Sequence, residues 1–143
     1  ITNVEHNKFY EKLQAETGFD KDARIKFVGT VYDAALLALI RKNAYGYLHG
    51  HEVGGTNPSL LEALGSTDLN LLLDVGFNSE VARDGALYWS KEAGNLGRLL
   101  KRADEMKEAE RKELGERAKE RIRKDYSWPY IIEKYEKLFL EQK

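Results

Sequence analysis

The chain has 143 residues, a net charge of −1, 42% hydrophobic and 33% charged residues, the balance of one globular domain with room for a core. So small a net charge argues against general affinity for nucleic acid. The chain has no cysteine, which excludes disulfides and thiolate chemistry and agrees with a cytoplasmic setting. No apolar run approaches the ~20 residues of a membrane span.

In chain order, Phe9 to Glu16 supports a short helix ended by Gly18 at C′. Ile25-Lys26-Phe27-Val28 is a β-rich run stopped by Gly29. Tyr32 to Lys42 is apolar at helical spacing, through Ala35, Leu36, Leu39 and Ile40, with Asp33 near its start. Ala44 to His49 predicts a strand that runs into a glycine-rich loop, and Pro58 to Leu64 the helix that follows. Leu69 to Leu73 is a nearly unbroken apolar run, as in a strand covered on both faces. Ala86 to Trp89 is a last short strand, and Tyr45, Tyr47, Tyr88 and Trp89 read as strand core.

From Asn95 the character changes. Leu99 to Lys124 is one charge-rich helical stretch whose mixed signs describe a solvated face rather than a nucleic-acid surface. Ser127 and Pro129 start a final amphipathic helix, Tyr130 to Leu140, expected to pack back on a domain face. Strands separated by helices predict an α/β fold, a Rossmann-like parallel sheet with flanking helices. The expected division is an α/β core over 1–94 followed by C-terminal helices over 95–143.

The chemistry concentrates in His51-Glu52-Val53-Gly54-Gly55-Thr56-Asn57-Pro58-Ser59-Leu60-Leu61-Glu62. Gly54 and Gly55 let a ligand approach the backbone, and Asn57 followed by Pro58 opens a helix. The donors expected to face a ligand are the amides of Asn57, Ser59 and Leu60 with the hydroxyls of Thr56 and Ser59. Such a loop at a helix N-terminus suits a phosphate. Glu62, one turn inside, can accept from sugar hydroxyls, so loop and carboxylate together describe a nucleotide-sugar site. The bland alternative is a tight strand-to-helix turn, with Glu62 complementing the helix dipole. In open parallel sheets ligands bind beyond the carboxyl ends of the strands, which is where this loop begins. The pattern is neither a dinucleotide fingerprint nor a P-loop.

Phe27-Val28-Gly29-Thr30, the run from Tyr47 through Leu64, the run from Leu69 through Val81, and Tyr126-Ser127-Trp128 resemble bacterial GT-B glycosyltransferases of the retaining group 1 family. The nearest likeness is to rhamnosyltransferases of capsular and cell-wall polysaccharide assembly. The resemblance covers most of the chain. It implies an incomplete C-terminal domain of a GT-B fold that binds a nucleoside-diphosphate sugar as substrate, with no further cofactor and no metal. It implies that Glu62 matches the second glutamate of the E-x7-E motif, which binds donor ribose. The amides of Asn57, Ser59 and Leu60 would serve the diphosphate, and Thr30 and Val31 would lie near the base.

Two departures accompany it. Where the first glutamate of that motif should stand, the chain has Gly54, and Glu52 falls two residues early. The Arg and Lys that neutralise the diphosphate in the family lie upstream of Ile1. The chain is therefore expected to be a piece of a longer enzyme, without its first β-α-β and its N-terminal acceptor domain, and inactive alone. The intact enzyme would work in the cytoplasm or at the cytoplasmic face of the membrane, its last helix bracing the other domain. The residues name no catalytic base.

His49 and His51 lie two apart, sharing one face of a strand, but with Glu52 they lack a third metal ligand at sensible spacing. One of them, taken as His51, lines the cleft, and the other packs or caps. Glu80, after Asn78 and Ser79, reads as a first-turn acid. Two other classes of function compete with the transferase: a non-catalytic Rossmann-like interaction module, and a sugar-nucleotide epimerase.

Overall fold

Apolar periodicity builds the elements one at a time, and a computed structural model describes them over residues 7–141. The chain divides into two units, Ile1–Leu37 and Ala38–Lys143.

In the first unit, helix α1 spans Lys8–Thr17. Asn7 caps it, its Oδ1 accepting from the amides of Phe9 at 3.0 Å and Tyr10 at 3.1 Å. Gly18 closes it in the left-handed region at φ 62°. The expected strand at Ile25–Val28 does not form; these residues are irregular. A strand needs a neighbour for its backbone, and here Phe27 packs in an aromatic trio instead, its ring centroid 5.3 Å from Tyr10 and 5.4 Å from Phe19. Helix α2, Ala34–Asn43, begins where Asp33 Oδ1 accepts from the amides of Ala35 and Leu36.

The second unit carries a parallel sheet of three strands: β1 Tyr47–His49, β2 Asn70–Leu73 and β3 Leu87–Trp89, in the order β1-β2-β3. Leu48 stands beside Leu71, and Leu71 beside Leu87, which fixes the register. The fold is thus α/β with a small parallel sheet and flanking helices, compatible with a Rossmann-like arrangement. β2 is buried along its whole length, as its continuous apolar run required.

Two clusters form the core. Leu72 joins Leu60 and Leu64 of helix α3 (Pro58–Leu64), Val81 and Ala82 of helix α4 (Gly76–Ala82), Ala86 and Ala118. Leu69 and Leu71 join Leu99 and Ala103 of helix α5 (Asn95–Glu105), Met106 and Leu114. Each fully buried leucine contributes about 1.5–3 kcal/mol. Helix α6, Glu108–Asp125, supplies Leu114 to one cluster and Ala118 to the other. It approaches through Gly115, where an added Cβ would lie 2.6 Å from Asp68 Cα.

The single charged helix expected over Leu99–Lys124 is instead two helices, α5 and α6. Met106 is extended (φ −68°, ψ 135°) and buried, and Arg111 Nη1 donates to its carbonyl at 2.7 Å. Burying one apolar side chain ends the first helix. Tyr45, read as strand core, is half exposed; its hydroxyl donates to the Ala103 carbonyl at 2.7 Å beneath Arg111.

Helix α7 spans Trp128–Glu141, and Ser127 Oγ accepts from the Tyr130 amide at 3.4 Å. It buries no residue, so the expectation that its apolar stripe packs back on the domain fails. Among the described residues no helix is long and apolar enough to cross a membrane.

Candidate functional site

The three strands release their chains at one edge of the sheet, and a polar residue ties that edge together. Asn78 is fully buried in α4, and its Nδ2 donates to the carbonyls of Leu73 at 2.9 Å and His51 at 3.1 Å. It thereby fixes the exit of β1 against the exit of β2. Its Oδ1 has no partner among the described residues. The sequence reading treated Asn78 only as part of a helix start; a buried asparagine just past an apolar strand was the available signal. The loops after β1 and β3 are joined by Glu52 and Lys91 at 2.5 Å. Glu80 is exposed on α4.

The glycine loop leaves this edge. Gly54 has φ +119°, a conformation that L side chains rarely adopt. Neither Gly54 nor Gly55 has any atom within 4 Å of the place a Cβ would take, so both face open space. Among the described residues, the amides of Gly54, Gly55, Thr56 and Asn57 donate to no protein group.

Asn57 caps α3 as the sequence predicted, and this corrects the list of free donors. Its Oδ1 accepts from the Ser59 amide at 2.9 Å, and its carbonyl from the Leu60 amide at 3.0 Å. Neither amide is free for a ligand. The Leu60 side chain belongs to the core, with no exposed surface. Of the three expected amides that of Asn57 stays open, together with those of the loop before it, Gly54 to Thr56.

Glu62 stands on α3 with its side chain 56% exposed, and Arg41 Nη1 of α2 meets its Oε2 at 2.5 Å. The Arg41 side chain is only 13% exposed. Thr67 Oγ1 donates to the Arg41 carbonyl at 3.0 Å, anchoring the same turn. Arg41 escaped the sequence reading, since no local pattern links positions 21 apart. The Arg41–Glu62 pair also bears on Tyr47: burial pushes its hydroxyl up, Arg41 pulls it down and Glu62 pushes it up.

Tyr47 and His49 lie together on β1, upstream of the loop. The Tyr47 hydroxyl and His49 Nδ1 are 3.0 Å apart, and the rings stack at 5.7 Å. His49 is 6% exposed, and its Nε2 has no partner among the described residues. Burial, then His51, lowers its pKa below the usual histidine value. β1 ends at His49, so His51 lies in the loop just beyond it, yet the two rings remain neighbours, 5.9 Å apart. Among the described residues no three His, Cys, Asp or Glu could hold a metal ion.

Gly54, Gly55, Thr56, Asn57, Ser59 and Glu62 follow one another along the loop and α3, with His51 at the loop's start, while Leu60 turns into the core. Thr30 and Val31 belong to the first unit, in irregular chain after Gly29. An open apolar cleft of about 400 Å³, lined by Tyr45, Leu48, Leu69, Leu71 and Leu100 among others, shares no residue with the loop. Compared with known proteins, the chain matches no family model, no curated protein and no solved structure.

Proposed function

We propose that this chain binds a nucleoside-diphosphate sugar, as the donor-binding part of a GT-B glycosyltransferase. The sugar would be rhamnose or another hexose, and the acceptor a growing surface polysaccharide. One observation carries the reading: the backbone amides of the loop that leaves the carboxyl end of β1, Gly54 to Asn57 among them, are unengaged among the described residues. Backbone amides in such a loop are matched to a diphosphate. Glu62 supports the same reading, because Arg41 holds its Oε2 while Oε1 is left to accept from hydroxyls. Asn78 ties the loop's origin, at the His51 carbonyl, to the end of β2.

In the intact enzyme the loop would stabilise the charge on the leaving diphosphate, which is where such a site contributes most to rate. The acceptor and the remaining cations would come from outside this chain, so the chain alone would transfer nothing. Thermal unfolding with UDP, GDP, dTDP and their sugars tests the binding claim. At a hundredfold excess over Kd a bound ligand stabilises by about 2.7 kcal/mol, a rise of several degrees. No rise with any of these nucleotides at millimolar concentration would overturn the proposal.

A further inference from the structure

Arg41 and Glu62 are an unequal pair. The Arg41 side chain is largely buried and that of Glu62 is open to solvent, yet Nη1 and Oε2 meet at 2.5 Å. Both residues are also held through their backbones. The Arg41 carbonyl accepts at 3.0 Å from Oγ1 of Thr67, which is fully buried and whose amide donates to the Ala63 carbonyl at 2.7 Å. The Glu62 carbonyl accepts from Ser66 Oγ at 2.5 Å. The last turn of α2 is thus tied to α3 by the Glu62 carboxylate and again by the turn that follows Leu64.

Stability gives little reason for such a pair. Water screens an exposed carboxylate, so its ion pair returns little, and withdrawing a guanidinium from water has a cost that the pair does not reliably offset. What the pair does achieve is orientation. A solvent-exposed glutamate has several rotatable bonds and spreads its carboxylate over many positions. With Oε2 held by a largely buried guanidinium, Oε1 is confined to one. The guanidinium also cancels the charge of Glu62, so a diphosphate on the amides of Gly54 to Asn57 is not repelled by an acid so close in the chain.

We propose that Arg41 is a positioning residue, an assignment that rests on the nucleotide-binding reading above: by holding and neutralising Glu62 it sets the site's preference for nucleotides with free ribose hydroxyls. The hydroxyl donates to Oε1, and Arg41 touches no ligand. Its two effects are separable. Loss of orientation removes the preference for hydroxyls, whereas loss of charge cancellation weakens every diphosphate, with or without them.

The test is calorimetric titration of the whole chain with UDP, GDP and dTDP and with their analogues lacking ribose hydroxyls (2′,3′-dideoxy for the first two, 3′-deoxy for the third). The native chain prefers the hydroxyl-bearing form of its nucleotide by about tenfold, the worth of one hydrogen bond to a charged group. Glu62→Ala abolishes the preference without weakening the analogue. Arg41→Gln also abolishes it and weakens the analogue about threefold, because the carboxylate is left uncompensated. The double variant has no preference but recovers analogue affinity to within about twofold of native. Without ligand, three-bond couplings find the Glu62 side chain in one rotamer in the native chain and averaged in Arg41→Gln. An Arg41→Gln chain that is less stable but keeps the preference, or keeps the single rotamer, overturns the proposal and leaves Arg41 a tie between helices. Nucleotides that bind the loop without regard to their hydroxyls also overturn it while the diphosphate site stands. Failure of every nucleotide to bind overturns both.

Discussion

Replacing Gly54 and Gly55 by alanine, one at a time, separates backbone strain from space. Both positions have open surroundings, but only Gly54 has a positive φ, +119°. Alanine at Gly54 must either hold that backbone, at about 1–3 kcal/mol, or displace an exposed loop. Relaxation of the loop puts the expected cost near the lower end. Alanine at Gly55 meets no clash and no such strain, and by restricting the unfolded chain it stabilises by about 0.4–1 kcal/mol. The two variants should therefore differ by about 2 kcal/mol. With a urea slope of about 1–3 kcal/mol per molar for a small protein, their midpoints should lie about 1 M apart. Nucleotide affinity gives a second readout. If a diphosphate rests on this backbone, both methyl groups obstruct it, and Gly55→Ala loses affinity without losing stability. Coincident urea midpoints would refute the strain argument. Unchanged affinity in Gly55→Ala would refute close approach of the ligand to the loop.

A second glycine pair tests how α6 meets the sheet. Gly115→Ala should destabilise by about 1–3 kcal/mol, since overpacking against Asp68 Cα at 2.6 Å outweighs the better helix propensity. Gly97→Ala in α5, with nothing within 4 Å, should stabilise by about 0.5–1 kcal/mol; urea unfolding of both reads the opposite signs. His49 gives a pH signature. Its folded pKa is lowered by burial, so the unfolded chain binds the proton more tightly. The stability it confers is complete above about pH 6.5, the unperturbed histidine value, and is lost as pH falls through the depressed folded value. Urea midpoints from pH 8 to 5 should fall more steeply for the native chain than for His49→Gln.

What the sequence made legible is what neighbours in the chain decide. Asn57-Pro58 marks the start of α3 because a cap and its amides lie within three residues, and Gly18 ends α1 for the same reason. The buried strand β2 is read from its own composition. The Ser59 and Leu60 amides, expected to face a ligand, are taken by the cap residue itself, while the Asn57 amide stays open. Arg41 beside Glu62 and Asn78 bridging Leu73 and His51 depend on tertiary placement, which no local period encodes. Ile25–Val28 has the composition of a strand but takes its packing from Tyr10 and Phe19. The α5–α6 break turns on burial of Met106, inside a stretch whose helical propensity alone predicted continuity.

An amide-resolved NMR titration with UDP, GDP and dTDP, then with their sugars, tests the donor-site account most directly. The account predicts saturable shifts concentrated at Gly54 to Asn57 and at Glu62, with one base preferred. A well-dispersed spectrum in which those amides ignore every nucleotide, or shifts confined to another surface, would contradict it.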